Sequence, residues 1–161
     1  MKVRLATTKD LDIIFAIYDR ARDFMRQNGN PIQWGDSYPE KELICSDLNS
    51  GHLYLLTDDE NAIAGVFSCF PEGEPDYEHI NGKWLNDLPY TAIHRVASAG
   101  THKGIFTHIL AFCRTFSSNI KIDTHLDNLV MQGVLKKHGF VHCGTIVTDG
   151  IELLAFQYSE N

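Results

Sequence analysis

The stretch YTAIHRVASAGTHKGIFTHIL, residues 90–110, joins an apolar strand-like segment to an amphipathic helical one through a turn with two glycines. Glycines at the start of a helix let backbone N–H groups approach an anion closely, and Lys103 adds a positive charge beside them. The turn fits neither the phosphate-loop pattern GxxxxGK[ST] nor the dinucleotide pattern GxGxxG. Taken alone it predicts either a phosphate-binding turn or an ordinary connection, because every helix begins with free N–H groups.

The segments on either side of this turn predict strands and helices in a regular order. Alternation predicts strands in MKVRLA, HLYLLT, AIAGVFSCF, YTAIHRVAS and NIKIDTHL, and a closing hairpin in VHCGTIV and LLAFQYS. Helical periodicity predicts four helices around DIIFAIYDRARDFM, KELICSDL, GIFTHILAF and NLVMQGVLKK. The order β-α-α-β-β-β-α-β-α-β-β predicts an α/β chain of the α+β type, with a mostly antiparallel sheet of about seven strands flanked by about four helices.

Composition limits the class of protein. With 161 residues and 43% hydrophobic residues, we expect one domain over residues 1–161. No apolar run approaches the roughly 18 residues of a spanning helix, and a net charge of −7 argues against nucleic acid as a partner. The spacing of histidines and cysteines predicts no metal site. Free thiols without a CxxC pair favour the reducing cytoplasm; the cysteines are Cys45, Cys69, Cys113 and Cys143.

Two motifs together resemble the GNAT superfamily of acetyltransferases, and the resemblance covers essentially the whole chain. RVASAGTHKGIFTHIL lies where that family has its coenzyme A pyrophosphate turn, Gln/Arg-x-x-Gly-x-Gly/Ala. DNLVMQGVLKKHGFVHCG is similar to the second family signature, and its interval from Asn128 to Gly139 and Phe140 matches the family spacing. The resemblance implies the GNAT fold, acetyl-CoA as cosubstrate without a metal, and direct attack of an amine on the acetyl group.

The chain departs from both signatures. Gly104 holds the central glycine of the turn, but Thr101 replaces the Gln/Arg and Phe106 replaces the final small residue. We therefore expect Phe106 to make the approach to the phosphates bulkier. Leu135 stands where the family often has the tyrosine that protonates the departing thiolate. Another group or water has to supply that proton if the chain is an enzyme.

The resemblance also implies which residues bind the cofactor. Backbone groups of the strand that enters the turn contact the pantetheine arm, the turn holds the pyrophosphate, and an asparagine lies near the thiol. The residues are Val96, Ala97 and Ser98 on the strand, His102, Lys103, Gly104, Ile105 and Phe106 at the turn, and Asn128.

Acetyl transfer to an amine also needs a base. His94, on the strand that would carry the thioester, is the first candidate, and the alternative is a histidine that only packs there. His125 is the second candidate. By strand alternation it shares a face with Asp123, so the two either form a carboxylate–imidazole pair or lie at a polar strand end.

Aromatic side chains are the candidates for binding the acceptor. Trp34 follows the first helix, where family members have the acceptor mouth, and Tyr90 flanks a strand that would carry the thioester. Each could instead fill a gap in the core.

The leading hypothesis is an N-acetyltransferase that moves an acetyl group from acetyl-CoA to a primary amine of a small molecule, protein or peptide. The alternative is a catalytically weak or inactive GNAT-like domain that binds coenzyme A or a protein partner as a sensor. We expect no nucleic-acid or membrane partner and a cytoplasmic location. The resemblance also allows a homodimer, since family members often pair through their last strands.

Overall fold

The computed structural model describes residues 1–160, in which eight strands form one sheet with two helices packed against each face. Because strand side chains alternate between faces, each apolar strand supplies two cores. The elements are β1 Lys2–Leu5, α1 Leu11–Gln27, α2 Lys41–Asn49, β2 Leu53–Thr57, β3 Ile63–Phe70, β4 Asn81–Gly82, β5 Thr91–Ser98, α3 Ile105–Cys113, β6 Asn119–Thr124, α4 Leu129–Lys137, β7 Val141–Thr148 and β8 Ile151–Ser159.

The sheet has the strand order β1-β2-β3-β5-β6-β8-β7-β4, and β5–β6 is the parallel pair. The predicted order and the mostly antiparallel pairing are confirmed, with one strand added: β4 lies in the segment 71–89, for which the sequence predicts no strand. Two glycines make this short pair possible, because a Cβ at Gly82 would lie 2.3 Å from the carbonyl oxygen of Cys143. Gly144, its partner in the register, is equally close to the backbone of β4.

Each face of the sheet has its own helices. On one face α3 and α4 pack on the sheet, with Ile109 of α3 and Leu135 of α4 fully buried. On the other face α1 and α2 pack through Ile14 and Ile44, which are also fully buried. The segment 71–89 covers the rest of this second face through Tyr77. The helical stripe predicted for α1 is therefore the stripe that packs on the sheet.

Strand β5 diverges from β6 after its first two residues. Thr91 pairs with Ile120 and Ala92 with Lys121, and no further pair forms between these strands in residues 1–160. On its other edge, β5 has a bulge against β3 at Arg95, which has a φ of +54°. A positive φ is uncommon for a residue with a side chain, and such conformations cost about 1–3 kcal/mol each. The bulge and the divergence open a wedge in the middle of the sheet.

A buried ion pair holds the bulge. Nε and Nη2 of Arg95 lie 2.8 and 2.7 Å from Oδ2 of Asp47, whose residue is 4% exposed. Ser68 donates a hydrogen bond to the same oxygen at 2.6 Å, and Tyr18 donates one to the Arg95 carbonyl oxygen at 2.8 Å. Burial disfavours the guanidinium charge, but Asp47 and Tyr38 outweigh it and raise the pKa of Arg95. The strained residue is thus held by both its backbone and its side chain.

We predict that Asp47→Ala destabilises the protein by about 3–5 kcal/mol, because it leaves the Arg95 guanidinium buried without a counter-charge. Urea unfolding measures the change. Asp19→Ala is the control: the Asp19 side chain is 72% exposed in its pair with Arg22, so its loss should cost less than about 1 kcal/mol. Equal small changes in both variants would show that the buried pair does not hold the bulge.

Candidate functional site

The wedge between β5 and β6 opens into a cavity of about 460 Å³. Its walls come from the α1–α2 connection, from β5 and β6, from the segment 74–77 and from the β7–β8 turn. His94 and Val96 of β5 line it, together with Asp123 of β6. The divergence of two parallel strands thus places polar side chains of both strands in one cavity.

His94 lies between two carboxylates in this cavity. Its Nε2 atom is 3.1 Å from Oε2 of Glu74, although the angle is not that of a hydrogen bond, and Nε2 is buried. Its Nδ1 atom is 3.8 Å from Oδ2 of Asp123. Tyr77 donates a hydrogen bond of 2.7 Å to the same Asp123 oxygen. The cluster therefore places an imidazole between two carboxylates inside the cavity.

Glu74 owes its position to Tyr90. The Tyr90 hydroxyl accepts a hydrogen bond from the Glu74 N–H and donates one to the Glu74 carbonyl oxygen, both at 3.1 Å. The nearby His94 imidazole, opposed by partial burial, lowers the pKa of the Glu74 carboxyl. Tyr90 itself does not line the cavity, so its predicted direct contact with the acceptor is not supported. Its ring packs on Tyr77 instead, which holds the segment that carries Glu74.

The glycine turn has free backbone donors. Within residues 1–160, no acceptor receives the N–H groups of residues 101–106. Gly104 is the N-cap of α3 with a φ of +69°, and no atom lies within 4 Å of the position where its Cβ would be. The Arg20 side chain of α1 lies against Gly100, and Lys103 is exposed. Free amides beside two cationic side chains form a site suited to an anionic group.

The Phe106 side chain does not approach this turn. It is 4% exposed and packs in the core against Phe140 and His138, with ring centroids 6.0 and 5.2 Å away. The predicted bulkier approach to the phosphates is therefore wrong. Phe106 is the second residue of α3, at a position of the first turn that faces the sheet. The replacement of a small residue by phenylalanine leaves the N–H groups of the turn accessible.

Of four other residues predicted to bind the cofactor, two have buried side chains and two have polar side chains with partners in the protein. The side chains of Ala97 and Ile105 are buried in the core, so only their backbones can contribute. Ser98 accepts a hydrogen bond from the Gly100 N–H at 3.0 Å, which shapes the turn. His102 pairs with Asp58, its Nε2 atom 3.5 Å from the carboxylate.

Asn128 lines the cavity at the start of α4. Its Oδ1 accepts a hydrogen bond from the Met131 N–H at 3.0 Å and caps the helix. Its Nδ2 donates a hydrogen bond of 2.9 Å to Oε1 of Gln33, in the α1–α2 connection. The asparagine therefore joins two walls of the cavity.

His125 lies outside the lining of the cavity. Strand alternation holds only as far as Thr124, where β6 ends, and beyond it the chain turns toward α4. The His125 Nδ1 atom accepts a hydrogen bond from the Asp127 N–H at 3.1 Å. The expected pair with Asp123 is thus wrong, because Asp123 contacts His94 and Tyr77 instead.

Trp34 packs in the core and also lines the cavity, and its contact with the acceptor stays a prediction. It is buried against Tyr18 and Tyr38, with ring centroids 5.7 and 6.1 Å away.

Neither Tyr77 nor Arg95 is among the residues that the sequence predicts for the site. A tyrosine in a polar segment that also contains apolar residues is the signal that could have pointed to Tyr77.

Two searches of the described chain complete the description of the site. Among residues 1–160 no group of three or more histidine, cysteine, aspartate or glutamate side chains is placed to hold a metal ion. Nor does that part of the chain contain a helix both long and apolar enough to cross a membrane.

Comparison with solved structures identifies the fold. A GNAT-family acetyltransferase from Streptococcus agalactiae superposes with a TM-score of 0.87 at 28% identity, over 99% of this chain and 95% of that one. A GNAT-family acetyltransferase from Listeria monocytogenes has a TM-score of 0.70 at 17% identity, over 97% and 92%. A Salmonella typhimurium structure holding its cofactor acetyl-CoA has a TM-score of 0.62 at 13% identity, over 99% and 94%. No protein-family model and no curated protein matches the chain.

We predict that Glu74 makes stability fall in acid. Its pKa is lower in the folded than in the unfolded chain, so its stabilisation is present above the unfolded value of about 4.3 and is lost as pH falls through the folded value. The unfolding free energies of the unmodified protein and of Glu74→Gln should therefore converge below the folded pKa of Glu74. In a His94→Ala background the convergence should disappear; if it persists, His94 is not its cause.

Proposed function

Because the chain belongs to the GNAT superfamily, we propose that it is an N-acetyltransferase that moves the acetyl group of acetyl-CoA to a primary amine of a small molecule or peptide. The observation that carries the proposal is the wedge between β5 and β6, which opens into a cavity with a histidine and is bordered by the strand that leads to the free N–H groups of the turn. The supporting comparisons are with acetyltransferases of this fold.

The cofactor would bind along the open edge of β5 and at the turn. Beyond Ala92 that edge has no partner strand in the described chain, so the main chain from Val96 to Ser98 is available to the pantetheine arm. The N–H groups of residues 101–106 would bind the pyrophosphate, with Lys103 and Arg20 adding positive charge. When bound, acetyl-CoA supplies an activated acetyl thioester next to the cavity.

His94 would accept the proton of the acceptor ammonium. A proton on Nε2, the ring nitrogen nearer to Glu74, would leave the Nδ1 lone pair free. Asp123, hydrogen-bonded by Tyr77, would hold the ammonium beside Nδ1. Once Nδ1 takes one proton, the amine lone pair forms the C–N bond to the acetyl carbon and the C–S bond breaks. The second proton leaves the nitrogen for the thiolate sulfur, so the products are the amide, free coenzyme A and one proton.

Leu135 cannot take part in the last step, because it has no proton to give and is 0% exposed in the core. In this mechanism the proton that the sulfur receives is the one that the nitrogen loses. The lack of a proton donor at Leu135 also favours the alternative, a weakly active or inactive domain that binds coenzyme A as a sensor. A cytoplasmic location, the absence of nucleic-acid, membrane and metal partners, and homodimer formation stay predictions.

We predict that Gly104→Val abolishes binding of acetyl-CoA. A β-branched residue is strained at a φ of +69° and would place its side chain over the free N–H groups. The measurement is the rise in melting temperature that acetyl-CoA causes. Gly51→Val is the matched control, because Gly51 has a φ of +74° in similarly open space at the end of α2. The melting temperature of Gly51→Val without ligand should drop about as much as that of Gly104→Val, but acetyl-CoA should still raise it. If acetyl-CoA also raises the melting temperature of Gly104→Val, the turn is not the binding site.

We predict that His94→Ala lowers kcat by about 100-fold or more, since it removes the proton acceptor, and that it leaves the acetyl-CoA melting shift in place. Thiol release with an amine panel measures kcat, and the pH profile should lose its acid limb. His108→Ala, an exposed histidine on α3, is the control and should behave as the unmodified protein. An unchanged pH profile in His94→Ala would show that another group is the base. A melting shift without thiol release from the unmodified protein favours the sensor.

A further inference from the structure

Resting on the proposed acetyl transfer, we infer that the acceptor is a small diamine or polyamine: a primary amine linked by a short alkyl chain to a second cationic group. The inference comes from the charge and polarity of the cavity lining. Carboxylates lie both at its inner end, near His94, and at its mouth, and apolar side chains also line it.

The lining is strongly acidic. Arg95 is the one arginine or lysine of the lining, and its charge is already balanced by Asp47 behind it. Asp36 also belongs to the lining, and it lies 3.3 Å from Arg26, which does not. Within residues 1–160, no lysine or arginine forms an ion pair with the other four carboxylates of the lining. These are Glu74, Asp76, Asp123 and Asp149.

The carboxylates form an inner pair and an outer pair. Glu74 and Asp123 are largely buried beside His94, with side chains 22% and 15% exposed. Asp76 and Asp149 are exposed at the mouth, on the turn after β3 and on the β7–β8 turn. Thr148 donates a hydrogen bond of 3.3 Å to Asp76 and joins the two turns. One ammonium can bind at each end.

A second observation points to a polar ligand in the cavity. Thr124 lines the cavity and is 1% exposed, yet its Oγ1 has no hydrogen-bond partner within residues 1–160. A buried hydroxyl without a partner is unfavourable, so a donor on a bound ligand would stabilise it.

Apolar side chains line the same cavity as the two acidic ends. They suit the methylene groups of an alkyl chain, and they are Ile93, Val96, Ile122, Met131 and Leu153. An acceptor with a carboxylate at its far end would meet the outer aspartates instead. The lining therefore discriminates by the charge of the group remote from the reacting amine.

The test compares three acceptors of equal chain length: a diaminoalkane, the monoaminoalkane, and the amino acid with a terminal carboxylate. We expect kcat/KM from coenzyme A release to be at least about fivefold higher for the diamine than for the monoamine, and lowest for the amino acid. Added salt should reduce the advantage of the diamine. Equal rates for diamine and monoamine would overturn the inference while leaving acetyl transfer intact.

Asp149→Asn tests the outer end. Asparagine tolerates the φ of +51° at this position, so the variant removes charge with little strain. The ratio of diamine to monoamine kcat/KM should fall toward one. Asp59→Asn, at a carboxylate that is 92% exposed and outside the lining, should keep the ratio of the unmodified protein. An unchanged ratio in Asp149→Asn would overturn the assignment of the outer site.

The failure of acetyl transfer has a different signature. If no amine releases coenzyme A although acetyl-CoA raises the melting temperature, the proposed function is wrong. The melting shift caused by the diamine alone then decides the inference. A salt-sensitive shift that exceeds that of the monoamine and shrinks in Asp149→Asn supports a diamine site. Equal shifts for the two amines would overturn it.

Discussion

The buried pair of Arg95 and Asp47 is the interaction on which the rest of the site depends. It holds a side-chain-bearing residue at a positive φ in the middle of β5, in the part of the strand that no longer pairs with β6. Without the separation, a regular ladder would occupy the edge of β5 and the cavity would close. The pair also reaches Tyr38, in the connection after α1, so one buried charge helps to position two walls of the cavity.

The catalytic cluster depends in turn on a segment with little secondary structure. Beside the short pair of β4 with β7, segment 71–89 is held by contacts of aromatic rings: the Lys121 ammonium lies 4.2 Å from the ring centroid of Trp84 and 3.9 Å from that of the adjoining Tyr90. Burial lowers the pKa of Lys121, which makes its charge easier to lose at this position. Tyr90 therefore has two roles, since it contacts this lysine and fixes Glu74 through its hydroxyl. Glu74 is positioned by a residue that never touches the cavity.

The order of the elements was predictable because periodicity is a local property, and so was the place of His94 on β5. What escaped prediction depends on contacts between distant residues. The two-residue strand β4 has no periodicity and exists because Gly82 and Gly144 approach closely. The pairing of Asp123 depends on where β6 ends, and alternation carried one residue too far placed His125 beside it. The contact of Glu74 with His94 depends on the Tyr90 hydroxyl that holds the Glu74 backbone, which no spacing rule encodes.

The inward direction of Phe106 has a consequence for how this kind of protein diverges. The turn presents main-chain N–H groups, and the side chain at position 106 belongs to the core rather than to the binding surface. Substitutions there are then governed by packing volume, and the requirement for a small residue disappears. A lineage can lose the recognisable letters of its motif while the anion-binding surface stays the same. In such a chain a substitution at Gly104, whose positive φ shapes the surface, strains the backbone of the turn itself.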